Sequence, residues 1–199
     1  SNHNYRVAVA EAGGLPMLVE LLQHGSDEGR AMAAQALRNL ADGNTANRVA
    51  VAAALVDLLS SGSDEGKANA AGALKILMAG NDVNKAVVAW AGALPPLVEL
   101  LSGGTDEGRA DAAELLANIL VSGKDNNKAV VLAAGALPPL VELLSGGSDE
   151  GRANAAWVLQ ILADDDDVNR ASVLEAGVIP LLVEMLHDSS DEGRERAAK

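Results

Sequence analysis

The chain has no cysteine and no phenylalanine among its 199 residues, and only one tyrosine and two tryptophans. Without cysteine there is no disulfide framework and no thiolate chemistry. The apolar content, 49% of the chain, is almost entirely Ala, Val and Leu. Small aliphatic side chains suit closely packed helices, whereas Val-rich strands normally bring aromatics and Thr with them. Basic residues are also scarce, 15 against 28 acidic ones, for a formal charge of −13. Nucleic-acid binding needs a basic patch that displaces counterions, so neither a nucleic acid nor an anionic membrane surface is an expected partner. No run approaches 18 apolar residues without Gly, Pro or charge, so no membrane span is expected. Ser1-Asn2-His3 has no signal-peptide character, and a cytoplasmic setting is the expectation.

The residues of catalysis are equally thin. The histidines, His3, His24 and His187, are too scattered for zinc ligation. The run Asp164-Asp165-Asp166-Asp167 lacks the spaced ligands, central Gly and terminal Glu of an EF-hand loop. Ser122-Gly123-Lys124-Asp125 lacks the Gly-rich lead of a phosphate loop. Asp111 and Glu114 share a helix face without a His or Cys beside them, and no nucleophile–base pair is visible. The expectation is a non-enzymatic protein with no cofactor and no metal.

What the chain does have is repetition. Asp-Glu-Gly occurs at Asp27-Glu28-Gly29, Asp64-Glu65-Gly66, Asp106-Glu107-Gly108, Asp149-Glu150-Gly151 and Asp191-Glu192-Gly193, spaced by 37, 42, 43 and 42 residues. A fixed period near 42 residues signals a solenoid, in which each unit buries its apolar side against its neighbours. The units read 1–42, 43–79, 80–122, 123–164 and 165–199, forming a single array over 1–199.

The third unit shows the grammar. A short helical pattern from Asn84 to Ala91 ends at Gly92, which supplies a left-handed C-cap. Pro95 and Pro96 fit the first turn of a second helix running through Leu97 to Leu101. Ser102-Gly103-Gly104 breaks that helix, and Thr105 caps a third. Asp106 and Glu107 then sit in its first turn, where negative charge offsets the helix dipole.

A short helix, a proline-led second helix and a longer third one, repeated about every 42 residues, resemble the armadillo repeat. The resemblance is carried by Ala-Gly-Ala-Leu-Pro-Pro-Leu-Val-Glu-Leu-Leu at 91–101 and 134–144, by Ala12-Gly13-Gly14-Leu15-Pro16 and by Ala176-Gly177-Val178-Ile179-Pro180. It implies an all-α, right-handed superhelix of three-helix repeats whose third helices line a concave groove for extended peptides or proteins. Trp90, at the end of a first helix, is expected to pack between repeats, with an interface role as the second reading. The last unit, ending Arg194-Glu195-Arg196-Ala197-Ala198-Lys199, is polar as a terminal cap should be.

The second unit departs from the pattern. It is five residues short and lacks the Gly-Ala-Leu-Pro-Pro break. Val51, Leu55, Leu58 and Leu59 form an i, i+4, i+7, i+8 stripe, so one continuous helix is expected, giving a two-helix unit closer to a HEAT repeat.

In armadillo families a ladder of Asn on the third helix holds the peptide backbone, often with Trp four residues earlier. The corresponding ladder here is Asn39, Ile76, Asn118, Ile161, preceded at −4 by Gln35, Gly72, Glu114, Trp157 and at −7 by Met32, Asn69, Asp111, Asn154. At +3 stand Asp42, Ala79, Val121 and Asp164. These offsets share one helical face. That face varies while Leu37, Leu74, Leu116 and Leu159 do not. The expected partner-binding groove therefore comprises Met32, Gln35, Asn39, Asn69, Ile76, Asp111, Glu114, Asn118, Val121, Asn154, Trp157 and Ile161. Two Ile in the ladder and no Trp–Asn pair in any unit argue against regular backbone clamping. The alternative is an engineered or consensus scaffold whose apolar groove forms a homodimer, suggested by the near-identity of 93–104 and 136–147.

Overall fold

The computed structural model describes residues 12–42, 44–122, 126–164 and 167–188. The first-unit pattern before Ala12, His3, the Gly123–Asp125 segment, Asp165 and Asp166 and the expected last third helix lie outside these residues, as does the side chain of His187. The described residues form helices and connecting turns, with no strand among them. None of their helices is long and apolar enough to cross a membrane.

The chain divides into two compact units, Ser1–Pro96 and Leu97–Lys199. In the first, α1 (Gly14–His24), α2 (Asp27–Ala41), α3 (Thr45–Ser61), α4 (Asp64–Met78) and α5 (Asp82–Trp90) follow in order. Helix α6 (Leu94–Gly103) carries the boundary. The second holds α7 (Asp106–Ser122), α8 (Asn126–Ala133), α9 (Leu137–Gly146), α10 (Asp149–Ala163), α11 (Asp167–Glu175) and α12 (Val178–Asp188).

Each third helix starts as its cap dictates. The hydroxyls of Ser26, Ser63, Thr105 and Ser148 accept from the amides of Gly29, Gly66, Gly108 and Gly151 at 3.3, 3.1, 3.1 and 3.1 Å. The glycine of Asp-Glu-Gly has a second reason. A Cβ on Gly151 would stand 3.0 Å from Leu143 Cδ1, and one on Gly29 would stand 3.3 Å from Leu21 Cδ1. The missing side chain lets the leucine of the preceding second helix close over the cap. At the other corner the chain needs a left-handed residue, and Gly92 (φ +88°) and Gly135 (φ +79°) supply it. The resulting bend between α8 and α9 is 79°.

The shortened repeat forms the single 17-residue helix α3. Its stripe Val51, Leu55, Leu58 and Leu59 is buried, with exposures of 1, 0, 5 and 1%. With no Gly or Pro to stop it, burial of this stripe carries the helix through the position where other units turn.

The core consists of the invariant leucines and small alanines. Leu37, Leu74, Leu116 and Leu159 are all at most 2% exposed. A side-chain contact without a sequence forecast joins consecutive repeats in the first unit. Asn47 Nδ2 donates to Leu40 O at 3.1 Å and Asn84 Nδ2 to Leu77 O at 2.6 Å. Asn44 and Asn81, three residues earlier, cap the same helices through the amides of Asn47 and Asn84. The pair Asn-x-x-Asn thus caps a first helix and ties it to a carbonyl near the end of the third helix before it.

Trp90 corrects an expectation. It is 88% exposed rather than packed between repeats. It is the last residue of α5, beyond the buried Val88, and the chain turns away at Ala91 and Gly92.

Candidate peptide-binding face

The third helices present their variable positions differently in the two units. On α2, Met32, Gln35 and Asn39 are exposed, Met32 by 61%, and Gln35 Nε2 donates to Asn39 Oδ1 at 3.3 Å. On α4, Asn69, Gly72 and Ile76 are half-buried. Asn69 Nδ2 is buried without a hydrogen-bond partner. The face contributed by the first unit therefore carries no charge at its −7, −4 and 0 positions.

The second unit is charged and closed at its base. On α7, Asp111 is buried, Glu114 and Asn118 are half-buried, and Val121 is 61% exposed. On α10, Asn154 is buried, while Trp157 and Ile161 are half-buried. Asn154 Nδ2 donates to Ala110 O at 3.2 Å, stitching α10 to α7. Asp111 and Asn154, at 6 and 4% exposure, thus sit in the seam between two third helices rather than on an open rim. Asn118 turns its amide back on its own helix, Nδ2 to Glu114 O at 3.1 Å. That is a self-directed use of a residue expected to face a ligand backbone.

Sequence reasoning finds Asp111 and Glu114 but misses Glu150. Carboxylate oxygens of Asp111, Glu114 and Glu150 lie within 4.8 Å of one another. Glu150 reads in the sequence as a dipole-compensating residue of the first turn. It stands one turn before Asn154, so extending the face by one more turn, to the −11 position, would have found it. Three oxygen donors at this separation suit a hard divalent cation or the ammonium or guanidinium of a basic side chain. Trp157 lies two turns along the same face of α10 from Glu150, and a tryptophan ring is the strongest aromatic partner for a cation.

The other conspicuous polar contacts belong to the scaffold. Arg30 spans α2 and α4, with Nη1 donating to Glu65 Oε1 at 2.7 Å and to Gly25 O at 3.2 Å, and pairs with Asp27. Arg109 Nε donates to Leu101 O at 3.0 Å. In α2 and α7 the basic residue after Asp-Glu-Gly thus reaches a carbonyl near the end of the preceding second helix, a role the spacing alone did not disclose, whereas Arg152 Nε in α10 is buried without a hydrogen-bond partner.

The armadillo/β-catenin-like repeat family matches the chain at residues 2–42 and 124–164. Three similar solved structures are designed proteins. One designed armadillo repeat protein is 32% identical, with a TM-score of 0.71 over 98% of this chain and 84% of that one. A second, computationally designed for modular peptide recognition, is 32% identical, with a TM-score of 0.73 over 97% and 83%. A third, designed and solved in complex with the peptide (KR)4, is 31% identical, with a TM-score of 0.71 over 98% and 84%. No curated protein matches the chain. The fold and the residues that build it define an all-α solenoid of the non-enzymatic, repeat-scaffold class. The chain belongs to the armadillo repeat family.

Proposed function

We propose that the chain binds an extended peptide along the face of its third helices, and that the second unit seats a basic side chain of that peptide. The observation that carries this reading is the convergence of Asp111, Glu114 and Glu150 on the helix face that also bears Trp157. The carboxylates supply charge-assisted acceptors, and the indole supplies an apolar, cation-attracting wall. The net charge of −13 draws a basic ligand towards the protein. A similar designed protein was solved with a peptide of alternating Lys and Arg, which supports the ligand class.

The test is fluorescence anisotropy with a labelled octapeptide of alternating Lys and Arg. Trp157→Ala and Glu114→Gln should each weaken binding about tenfold, equivalent to about 1.4 kcal/mol. Binding should also fall as salt rises from about 50 to about 300 mM. Equal affinity for wild type and both variants sinks the assignment.

A second reading is favoured by Met32 and Val121, each 61% exposed on third helices. Apolar side chains standing out from the groove positions suit a second copy of the chain. Light scattering across a wide concentration range separates the two readings. A dimer dissolved by Met32→Lys or Val121→Lys supports self-association, and a monomer throughout leaves the peptide reading alone.

A further inference from the structure

The shortened repeat opens a second surface, built without any third helix. A cleft of about 550 Å³ lies between α1 and α3, lined by Leu15, Val19, Glu20, Ala54, Asp57 and Leu58 among others. That volume falls within the roughly 300–1,000 Å³ of typical ligand clefts. Leu58 is buried, Leu15, Val19 and Ala54 are half-buried, and Glu20 and Asp57 are exposed. Gln23, His24 and Ser61 also line it, so the arrangement is a trough with an apolar floor and a polar rim, to which each helix contributes one carboxylate.

The trough follows from the deletion. In the other repeats the position of Ala54 is held by Met17, Pro96, Pro139 and Leu181, all larger. The uninterrupted α3 needs no proline there, and a small alanine in mid-helix leaves the space beside Val19 and Leu58 unfilled. Glu20 and Asp57 occupy the same repeat position on the two helices. Neither carboxylate makes an ion pair with another described residue.

We propose that this cleft docks a short basic amphipathic helix of a partner protein. Apolar side chains at i, i+3 or i+4, and i+7 would enter the trough, and Lys or Arg beside them would meet Glu20 and Asp57. The wall of α1 from Leu15 to His24 is about 14 Å long at 1.5 Å per residue, which suits about ten residues of helix. Charge selects the occupant: the two exposed carboxylates and the acidic chain favour a cationic partner over a neutral one. This site is independent of the third-helix face.

The test uses two labelled peptides of about 14 residues and identical Leu and Lys composition. One is patterned as an amphipathic helix, and the other is scrambled. Against the full chain, the patterned peptide should bind about tenfold more tightly than the scrambled one. Ala54→Leu fills the trough with a residue that the last repeat already carries at this position. It should weaken binding about fivefold or more without lowering the thermal midpoint. Glu20→Lys with Asp57→Lys should weaken it at least as much, and the advantage of the patterned peptide over the scrambled one should persist in Trp157→Ala. Equal binding of both peptides would show plain charge attraction and overturn the proposal. So would wild-type affinity in both the Ala54 and charge-reversal variants, or loss of the patterned peptide's advantage on Trp157→Ala alone. A homodimer dissolved by Ala54→Leu would overturn it in favour of a second copy as the occupant.

Discussion

The two units use the same helix grammar and end with different faces. In the first, the third helices carry Met32, Gln35, Asn39, Asn69, Gly72 and Ile76, an uncharged set. In the second, they carry Asp111, Glu114, Asn118, Asn154, Trp157 and Ile161, with Glu150 drawn in. Beneath both lie the same leucines, Leu37 and Leu74 against Leu116 and Leu159, all buried. The face varies while the leucines beneath it do not, although one of its residues, Asn154, also joins α10 to α7. Each described third helix is positioned by its cap and its leucine stripe, and α2 and α7 also by the basic residue near the helix start. The units differ also in how the second helix begins. A glycine and a proline pair bend the chain by 79° before α9, whereas α3 runs straight through that point.

The largest test of this comparison is a proline at Ala54. Ala54→Pro places in mid-α3 the residue that Pro139 holds near the start of α9. It removes a helix hydrogen bond and clashes with the preceding turn, so urea denaturation should show a loss of about 3 kcal/mol or more. The reciprocal Pro139→Ala should cost within about 1 kcal/mol. If the two substitutions cost the same, α3 is not the continuous helix described here.

Next comes the seam asparagine. Asn154→Ala deletes a buried bond between α10 and α7 and should cost about 1.5 kcal/mol in the same assay. Asn69→Ala, at the matching position of the first unit, removes an amide nitrogen that has no partner and should cost about 0.5 kcal/mol or less. Reversed costs would mean that the first unit, not the second, is stitched through this position.

A binding contrast is expected at −4. Trp157→Ala should weaken an alternating Lys–Arg octapeptide about tenfold, or about 1.4 kcal/mol, while Gln35→Ala leaves its affinity nearly unchanged. Titration by fluorescence anisotropy reads both. The smallest effect should be the same in both units. Ser26→Ala and Ser148→Ala each remove a hydroxyl cap and should each cost about 1 kcal/mol by thermal unfolding. A marked inequality would show that the caps, and not only the faces, distinguish the units.

Much of the scaffold is legible along the chain because it rests on local chemistry. A Ser or Thr before Asp-Glu-Gly caps a helix, Gly92 takes a positive φ, and an unbroken apolar stripe makes α3 one helix, whatever surrounds them. The candidate face is legible only in outline. The period of the helix puts Asp111, Glu114, Trp157 and Ile161 on the variable side of their helices, but it does not say how deep each sits. Asp111 is buried while Met32, at the matching position, is largely exposed, because depth depends on what the neighbouring helix places alongside. Trp90 shows the same limit from the other direction. Packing between repeats is the first expectation for it, yet its place at the last residue of α5 leaves it in solvent.

The sequence by itself determined the repeat, the starts of the capped third helices, the fused second repeat and the family, since each follows from spacing, caps and turn residues that act within a few positions of one another; it placed the end of α6 too early, for the helix runs through Ser102 to Gly103. Only the tertiary structure decided that Glu150 joins Asp111 and Glu114, that Asn154 is spent on Ala110 and that a trough opens beside Ala54. Those juxtapositions bring together side chains from different helices. Their distances are set by how the helices pack, a quantity that no periodicity along one chain segment contains.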